Sequence, residues 1–152
     1  MSHIKSYGIA LPHFRIEDNI LHPKGKNGVM KAVCFPDEDI ITLSFQSTSN
    51  IKHQTSYIDA VFFATSTPVF HNRYHASFLA DLLNLPKEIL ALDFTSSSRS
   101  GTDALLLANE LIDSGKYKNI LVVAPEAHFP AIRRELSTPF GHAASSVLIS
   151  KE

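Results

Sequence analysis

Residues 93 to 104 read DFTSSSRSGTDA, with Ser96, Ser97, Ser98 and Ser100 around Arg99, set between an apolar run and a helix-like one. A hydroxyl at the top of a strand, where a helix begins, is where many α/β enzymes keep a nucleophile, and the free amides of a helix start favour negative charge. Serine attacks only when a positioned base removes its proton, and no base for Ser98 is identifiable in the sequence. The hydrolase elbow Gly-x-Ser-x-Gly is absent, because Thr95 to Arg99 has no glycine on either side. The serines therefore read first as a hydrogen-bonded turn and helix cap. Arg99 is placed to meet an acidic acyl or phosphate group, with a surface or interface ion pair as the plainer reading.

Other reactive side chains lead less far. His71 and His75 have the i, i+4 spacing that puts two imidazoles on one helix face, but Asn72 stands where His-Glu-x-x-His has its glutamate and no third ligand is evident. No metal site is expected. His13, His22, His53 and His128 read as loop or strand-end residues. Cys34, the single cysteine, excludes an internal disulfide and reads as a buried, inert thiol. Glu126, at the end of "LVVAPE", reads as a structural hydrogen-bond acceptor.

These groups sit in a chain of 152 residues, 44% of them hydrophobic, with 14 basic against 15 acidic residues and a net charge of -1. That length suits one domain with one core, residues 1-152. The charge balance gives no bulk attraction to nucleic acid or to an anionic membrane. No run approaches the roughly 20 apolar residues that span a bilayer, and the N-terminus lacks the basic and apolar regions of a signal peptide. The expected setting is soluble and cytoplasmic.

The elements that must position these groups follow from periodicity. "SHIKSYGIALPHFRI" suits an early strand and a loop, and "LHPKGKNG" is the most linker-like stretch. After "FPDED" a helix is expected, with Asp37 as cap, Glu38 and Asp39 at its positive end, and Ile40, Ile41, Leu43 and Phe45 as its apolar positions. "YIDAVFFAT" is a nearly continuous apolar run of the kind covered by helices on both faces. "RYHASFLADLLNL" is helical through Ala76, Leu79, Ala80 and Leu83, ending at Leu85-Pro86. "EILALDFT" is a strand. The strongest helix is "SGTDALLLANELIDSGK", with Ala104, Leu105, Ala108, Leu111 and Ile112 as its stripe and Gly115 at its end. "NILVVAPEAHF" and "AASSVLIS" complete the strands. Alternation of this kind argues for a three-layer α/β domain with a largely parallel sheet.

The ordered motifs "YGIALPHFRI", "FPDEDIITLSFQSTSN", "IDAVFFATSTP", "LADLLNLPKEILALDFTSSSRSGTDALLLANELIDSGKYKNILVVAPEAH" and "TPFGHAASSVLIS" resemble the N-terminal half of a thiolase-superfamily condensing enzyme. The likeness is greatest to the hydroxymethylglutaryl-CoA synthase group, then to ketoacyl synthase III. It implies a three-layer α/β/α thiolase-like half-domain with a mixed, mostly parallel five-stranded sheet, the second half of the family fold being absent and with it the catalytic histidine and asparagine. In the family the nucleophilic cysteine lies three residues before a Gly-Thr pair; here the pair is Gly101-Thr102 and the position holds Ser98. The synthases place a general-acid glutamate after the second strand; here "ATSTP" puts Ser66 there. A thiol ionises near pH 8.5, whereas a serine hydroxyl needs a base and cannot replace a tuned carboxylic acid in proton transfer. Gly141-His142 departs from the Gly-Asp or Gly-Gly of the closing motif, while Ala143, Ala144, Ser145 and Ser146 fit a closely packed last strand.

On this resemblance the chain is expected to be a pseudoenzyme, a non-catalytic assembly or acyl-binding component. The alternatives are an acyltransferase (acyl-CoA condensing) subunit completed by a partner chain, and a fragment of a longer synthase-like protein. Ser98 and Ser66 hold the catalytic positions, and Arg99, Gly101 and Thr102 are the binding candidates. No cofactor is called for, and a CoA thioester is the implied ligand. Half of a pseudo-symmetric fold leaves exposed the surface its twin would cover, so a homodimer or a complementary thiolase-like subunit is the expected partner.

Overall fold

The computed structural model describes residues 1–21, 24–51, 57–128 and 140–151. In chain order the elements are β1 (Ser2–Ala10), β2 (Arg15–Glu17), α1 (Asp18–Leu21), β3 (Met30–Ala32), α2 (Ile40–Ser49), β4 (Ala60–Ala64), α3 (His75–Leu82), β5 (Leu90–Phe94), α4 (Ser100–Asp113), β6 (Asn119–Glu126) and β7 (Ala143–Lys151). The five-stranded sheet has the order β1-β7-β6-β4-β5. β4 pairs in parallel with both β5 and β6, while β7 runs antiparallel to β6 and β1. Four strands thus point one way and β7 the other, a mixed and mostly parallel sheet as expected. The small hairpin of β2 and β3 and the single turn α1 have no counterpart in the sequence reading, because three- and four-residue elements are too short to display a period.

The central strand β4 is buried on both faces, which is why its sequence runs Ala-Val-Phe-Phe-Ala without alternation. Its side chains nevertheless alternate in direction. Val61 and Phe63 pack with Ile40, Leu43, Ala76 and Leu79 of α2 and α3. Ala60, Phe62 and Ala64 pack with Ala104, Ala108 and Ile112 of α4. Full burial of a phenylalanine such as Phe62 or Phe63 contributes roughly 1.5–3 kcal/mol, so this one strand ties the three layers together.

Helix α2 forms from residues that favour strands because its start is strongly capped. Asp39 accepts the N–H groups of Ile41 and Thr42, both at 2.8 Å, and Thr42 Oγ1 accepts the N–H of Asp39 at 2.7 Å. The cap is therefore Asp39 and not Asp37. Glu38 turns back to accept the N–H of Phe35. Phe45, expected in the apolar set, is exposed. Beneath α2 the sheet needs glycine, since a Cβ at Gly8 would lie 2.0 Å from the carbonyl oxygen of Ser47. Nearby, Ser146 of β7 bonds to Ser47 and Thr48 at 2.6 and 3.0 Å, which satisfies three buried hydroxyls and gives the small residues of "AASSVLIS" their role in close packing.

Helix α4 ends as its sequence indicates, with Gly115 at φ 78 and the N–H groups of Gly115 and Lys116 returning to Ile112 and Leu111. Its buried positions are Ser100, Ala104, Ala108 and Ile112, while Leu105 turns outward. Among the described residues no helix is long and apolar enough to cross a membrane.

Candidate functional site at the carboxyl ends of the parallel strands

The loop from Thr95 to Arg99 joins the end of β5 to α4, and all five residues are exposed. Its turn is hydrogen-bonded as the serines suggest: Ser97 Oγ accepts the N–H of Arg99 at 3.1 Å, and Ser100 Oγ accepts the N–H of Ser97 at 3.2 Å. The helix cap differs from expectation. The capping position is Arg99, and no side chain there bonds the free amides. Ser98 Oγ has no hydrogen-bond partner among the described residues, and Arg99 forms no ion pair among them. Gly101 faces β6 with room to spare, since an added Cβ would lie 3.8 Å from that of Ala124. Thr102 lines a separate apolar hollow with Ile4, Leu105, Leu106 and Ile149.

Ser66 follows β4, and its partner comes from β6. Those strands pair in parallel with a constant offset, Ala60 to Ile120 through Phe63 to Val123, and the same offset brings Ser66 level with Glu126. The Glu126 carboxylate accepts the Ser66 N–H at 2.6 Å through Oε1, and through Oε2 the hydroxyls of Ser66 and Thr67, both at 3.0 Å. His128 Nε2 lies 3.5 Å from the same oxygen. Thr67 Oγ1 in turn accepts the N–H of Ala127 at 3.2 Å, which closes the two strand ends on each other. Glu126 thus has the hydrogen-bonding role read from its sequence position. What the sequence reading missed is that the acceptor serves Ser66, because the pairing of β4 with β6 is set by the order of the sheet and by no local pattern.

One strand further, Asp93 of β5 accepts the backbone N–H groups of His75 and Ala76 at 2.8 and 2.9 Å, acting from outside as the cap of α3. The same carboxylate lies 2.6 Å from His75 Nδ1. His75 Nε2 accepts two backbone N–H groups, from Val69 and Phe70, both at 3.1 Å, so the ring proton belongs on Nδ1 and is donated to Asp93. Phe63 and Phe70 stack on this imidazole. His75 is the first residue of α3 while His71 lies in the loop before it, so the two do not share a helix face. Among the described residues no cluster could hold a metal ion.

Cys34 and His142 form a clasp that reaches these groups through His128. His142 Nδ1 accepts the N–H of Cys34 at 2.9 Å, and Nε2 meets the carbonyl oxygen of His128 at 3.0 Å, so the proton sits on Nε2. Burial, with a smaller contribution from the charge of His128, holds His142 below the usual imidazole range, against an opposing effect of its bond to the His128 carbonyl. Burial pushes the Cys34 thiol up to about 11, with Glu38 and Asp39 adding to the shift. That is the inert thiol the sequence suggested.

Known proteins share this fold. The family model of 3-oxoacyl-[acyl-carrier-protein (ACP)] synthase III matches residues 92–152, from β5 through β7. A hydroxymethylglutaryl-CoA synthase of Thermoplasma volcanium is 24% identical over 166 aligned positions, covering all of this chain and 47% of that protein. A beta-ketoacyl-[acyl-carrier-protein] synthase III of Neorickettsia sennetsu is 26% identical, covering 82% of this chain and 43% of that protein. The crystal structure of 3-oxoacyl-[acyl-carrier-protein] synthase III from Aquifex aeolicus superposes with a TM-score of 0.86 at 22% identity, covering all of this chain and 54% of that one, which shows the fold. The chain spans about half the length of the relatives it matches. Its ordered motifs, its relatives and its sheet order agree on a thiolase-like fold, similar to part of a thiolase-superfamily condensing enzyme.

Proposed function

We propose that this chain is a thiolase-like half-domain that does not condense acyl groups by itself and serves, in the cytoplasm, as an assembly or acyl-binding component. The observation that carries the reading is the state of Ser98. Its hydroxyl stands at the position of the family's cysteine, exposed, with no base in hydrogen-bond contact among the described residues, and a neutral hydroxyl so placed is a poor nucleophile. Ser66, at the glutamate position, has its hydroxyl held by Glu126. A CoA thioester or another acyl carrier is the ligand such a component would take, with Arg99 and Gly101 as candidate contacts at the start of α4.

Assembly is supported by an uncovered apolar face. Ile4, Tyr7 and Ile9 pair across β7 with Ile149, Val147 and Ser145, so they share the face of the sheet that α4 covers. α4 reaches only part of that face: Ile4 is 63% exposed, Tyr7 69% and Leu106 of α4 61%. A second copy, or a complementary thiolase-like subunit, would cover it. The test pairs two measurements on the purified chain. Sedimentation should report a dimer or a co-purifying partner, and incubation with acetyl-CoA should give no acyl transfer. Acyl transfer abolished by Ser98→Ala would overturn the reading.

A second reading, an acyltransferase subunit completed by a partner that brings the histidine and asparagine, is favoured by Glu126. Its carboxylate lies beside the position where the family has its glutamate and is partly open to solvent. Only this reading expects an acyl adduct on the peptide containing Ser98, which mass spectrometry after incubation with acetyl-CoA detects.

A further inference from the structure

The order of the strands creates a crevice that neither Ser66 nor Ser98 uses. From β4 the chain passes to α3 on one face of the sheet, and from the adjacent β5 it passes to α4 on the other. The two connections diverge above the carboxyl ends of β4 and β5, and open α/β sheets take their ligands at such a switch point. A cleft of about 450 Å³ lies there, lined by Pro68 and Phe70 through His75 after β4 and by Asp93 and Thr95 at the end of β5. That volume falls within the roughly 300–1,000 Å³ of small-molecule sites.

The polar groups on the floor of the cleft are already engaged. Both oxygens of Asp93 are engaged by His75 and Ala76, and both ring nitrogens of His75 are engaged by Asp93 and by the Val69 and Phe70 amides. The wall is different. Among the described residues, no hydrogen bond or ion pair uses the side chains of His71, Asn72, Arg73 or Tyr74. Arg73 is nevertheless held in place, its guanidinium carbon lying 5.3 Å from the ring centre of Phe70 and 5.4 Å from that of Phe78. Contact with aromatic rings restrains the orientation of a guanidinium without consuming its N–H donors, and those donors form a planar fork that matches two oxygens of a carboxylate or a phosphate.

We propose that this cleft binds a small organic anion, a carboxylate or a phosphate monoester, with Arg73 as the anchoring cation and Asn72 and Tyr74 as rim hydrogen-bond partners. Phe70 and Pro68 offer apolar surface to a short carbon stem. The proposal does not depend on whether the chain condenses acyl groups, since it concerns a wall that carries neither Ser66 nor Ser98.

The test is a titration of the 152-residue chain, isotopically labelled, with sodium phosphate and separately with sodium acetate at constant ionic strength, followed by nuclear magnetic resonance. At least one anion should shift the Arg73 side-chain N–H and the amides of Asn72 to Tyr74 in a saturable way. Saturation by phosphate alone identifies a phosphate ligand, and by acetate alone a carboxylate. Arg73→Ala should weaken binding about tenfold or more, or about 1.4 kcal/mol. Arg73→Lys keeps the charge without the fork and should weaken it less, and it decides the matter if the alanine variant loses its native spectrum. Lys116→Ala should change nothing. Absence of saturable shifts with both anions, or affinity unaltered in a folded Arg73 variant, would overturn the proposal.

Discussion

Glu126 and Ser66, at the ends of adjacent parallel strands, are joined twice: Oε1 accepts the serine N–H at 2.6 Å and Oε2 its hydroxyl at 3.0 Å. A carboxylate from β6 therefore fixes the turn that leaves β4. Removing the carboxylate orphans the Ser66 N–H and the hydroxyls of Ser66 and Thr67, whereas removing the serine hydroxyl loses one bond. Water reaches part of the site and replaces part of what is lost. Glu126→Ala should destabilise the chain by about 2 kcal/mol and Ser66→Ala by about 0.5–1 kcal/mol. Thermal unfolding decides it, with each kcal/mol lowering the midpoint by about 2–4 °C. Equal losses in the two variants would deny Glu126 this organising role.

Asp93 binds the start of α3 to β5 through two backbone amides and one imidazole. Its truncation removes a helix cap, worth about 1 kcal/mol, and leaves His75 Nδ1–H without an acceptor in the stack between Phe63 and Phe70, worth about 1–3 kcal/mol more. Asp93→Ala should therefore lose about 3 kcal/mol in urea denaturation. Asp93→Asn retains one acceptor and should lose less. A neutral result for the alanine variant would mean that α3 holds its position by packing alone.

The architecture was readable from sequence wherever an element was long enough to show its period. β4, α4 and β6 are the clearest cases, since a run of five or more buried residues or a stripe of four leaves few alternatives. α2 was readable only in outline. Its β-branched residues argue for a strand, and the deciding group is one aspartate among the three acidic residues of "FPDED", which composition alone cannot distinguish. The site was less legible, because its relationships are long-range. Nothing in "ATSTP" announces Glu126, and nothing in "LALDF" announces that Asp93 caps a helix that begins eighteen residues earlier. Both become visible only when the register of the parallel strands is fixed. Arg73 was missed for a related reason: its meaning comes from Phe70 and Phe78, which place it in the cleft.

The Cys34 thiol gives the chain an alkaline weakness. Its value rises from 9.0 to about 11 on folding, so the folded state holds the thiol proton more tightly than the unfolded chain does. Between these values the unfolded state loses its proton first, and stability must fall as pH rises. The stabilisation is complete below pH 9 and lost by about pH 11, a difference of about 2–3 kcal/mol. Comparison of the chain with Cys34→Ala by urea unfolding at pH 8 and pH 10.5 isolates the contribution, and the wild type should show the steeper decline. The same burial predicts slow alkylation by iodoacetamide at pH 8 until denaturant is added.

The face shared by β1 and α4 supplies the last expectation. Leu106 is 61% exposed on α4, and Tyr7 is exposed on the same side of the sheet. If a second copy covers this face, each protomer buries the leucine of α4, and burial of one such side chain contributes about 1.5–3 kcal/mol. Leu106→Lys replaces that gain, made twice in a symmetric dimer, with charges to be desolvated, so the dissociation constant should rise about a hundredfold or more. Phe45→Lys serves as control, since Phe45 is also apolar and exposed but lies on α2, across the sheet. Sedimentation equilibrium separates the outcomes. Dissociation by Leu106→Lys alone places the interface on α4, dissociation by Phe45→Lys alone places it on the α2 side, and a wild-type chain that stays monomeric at high concentration excludes self-association through either face.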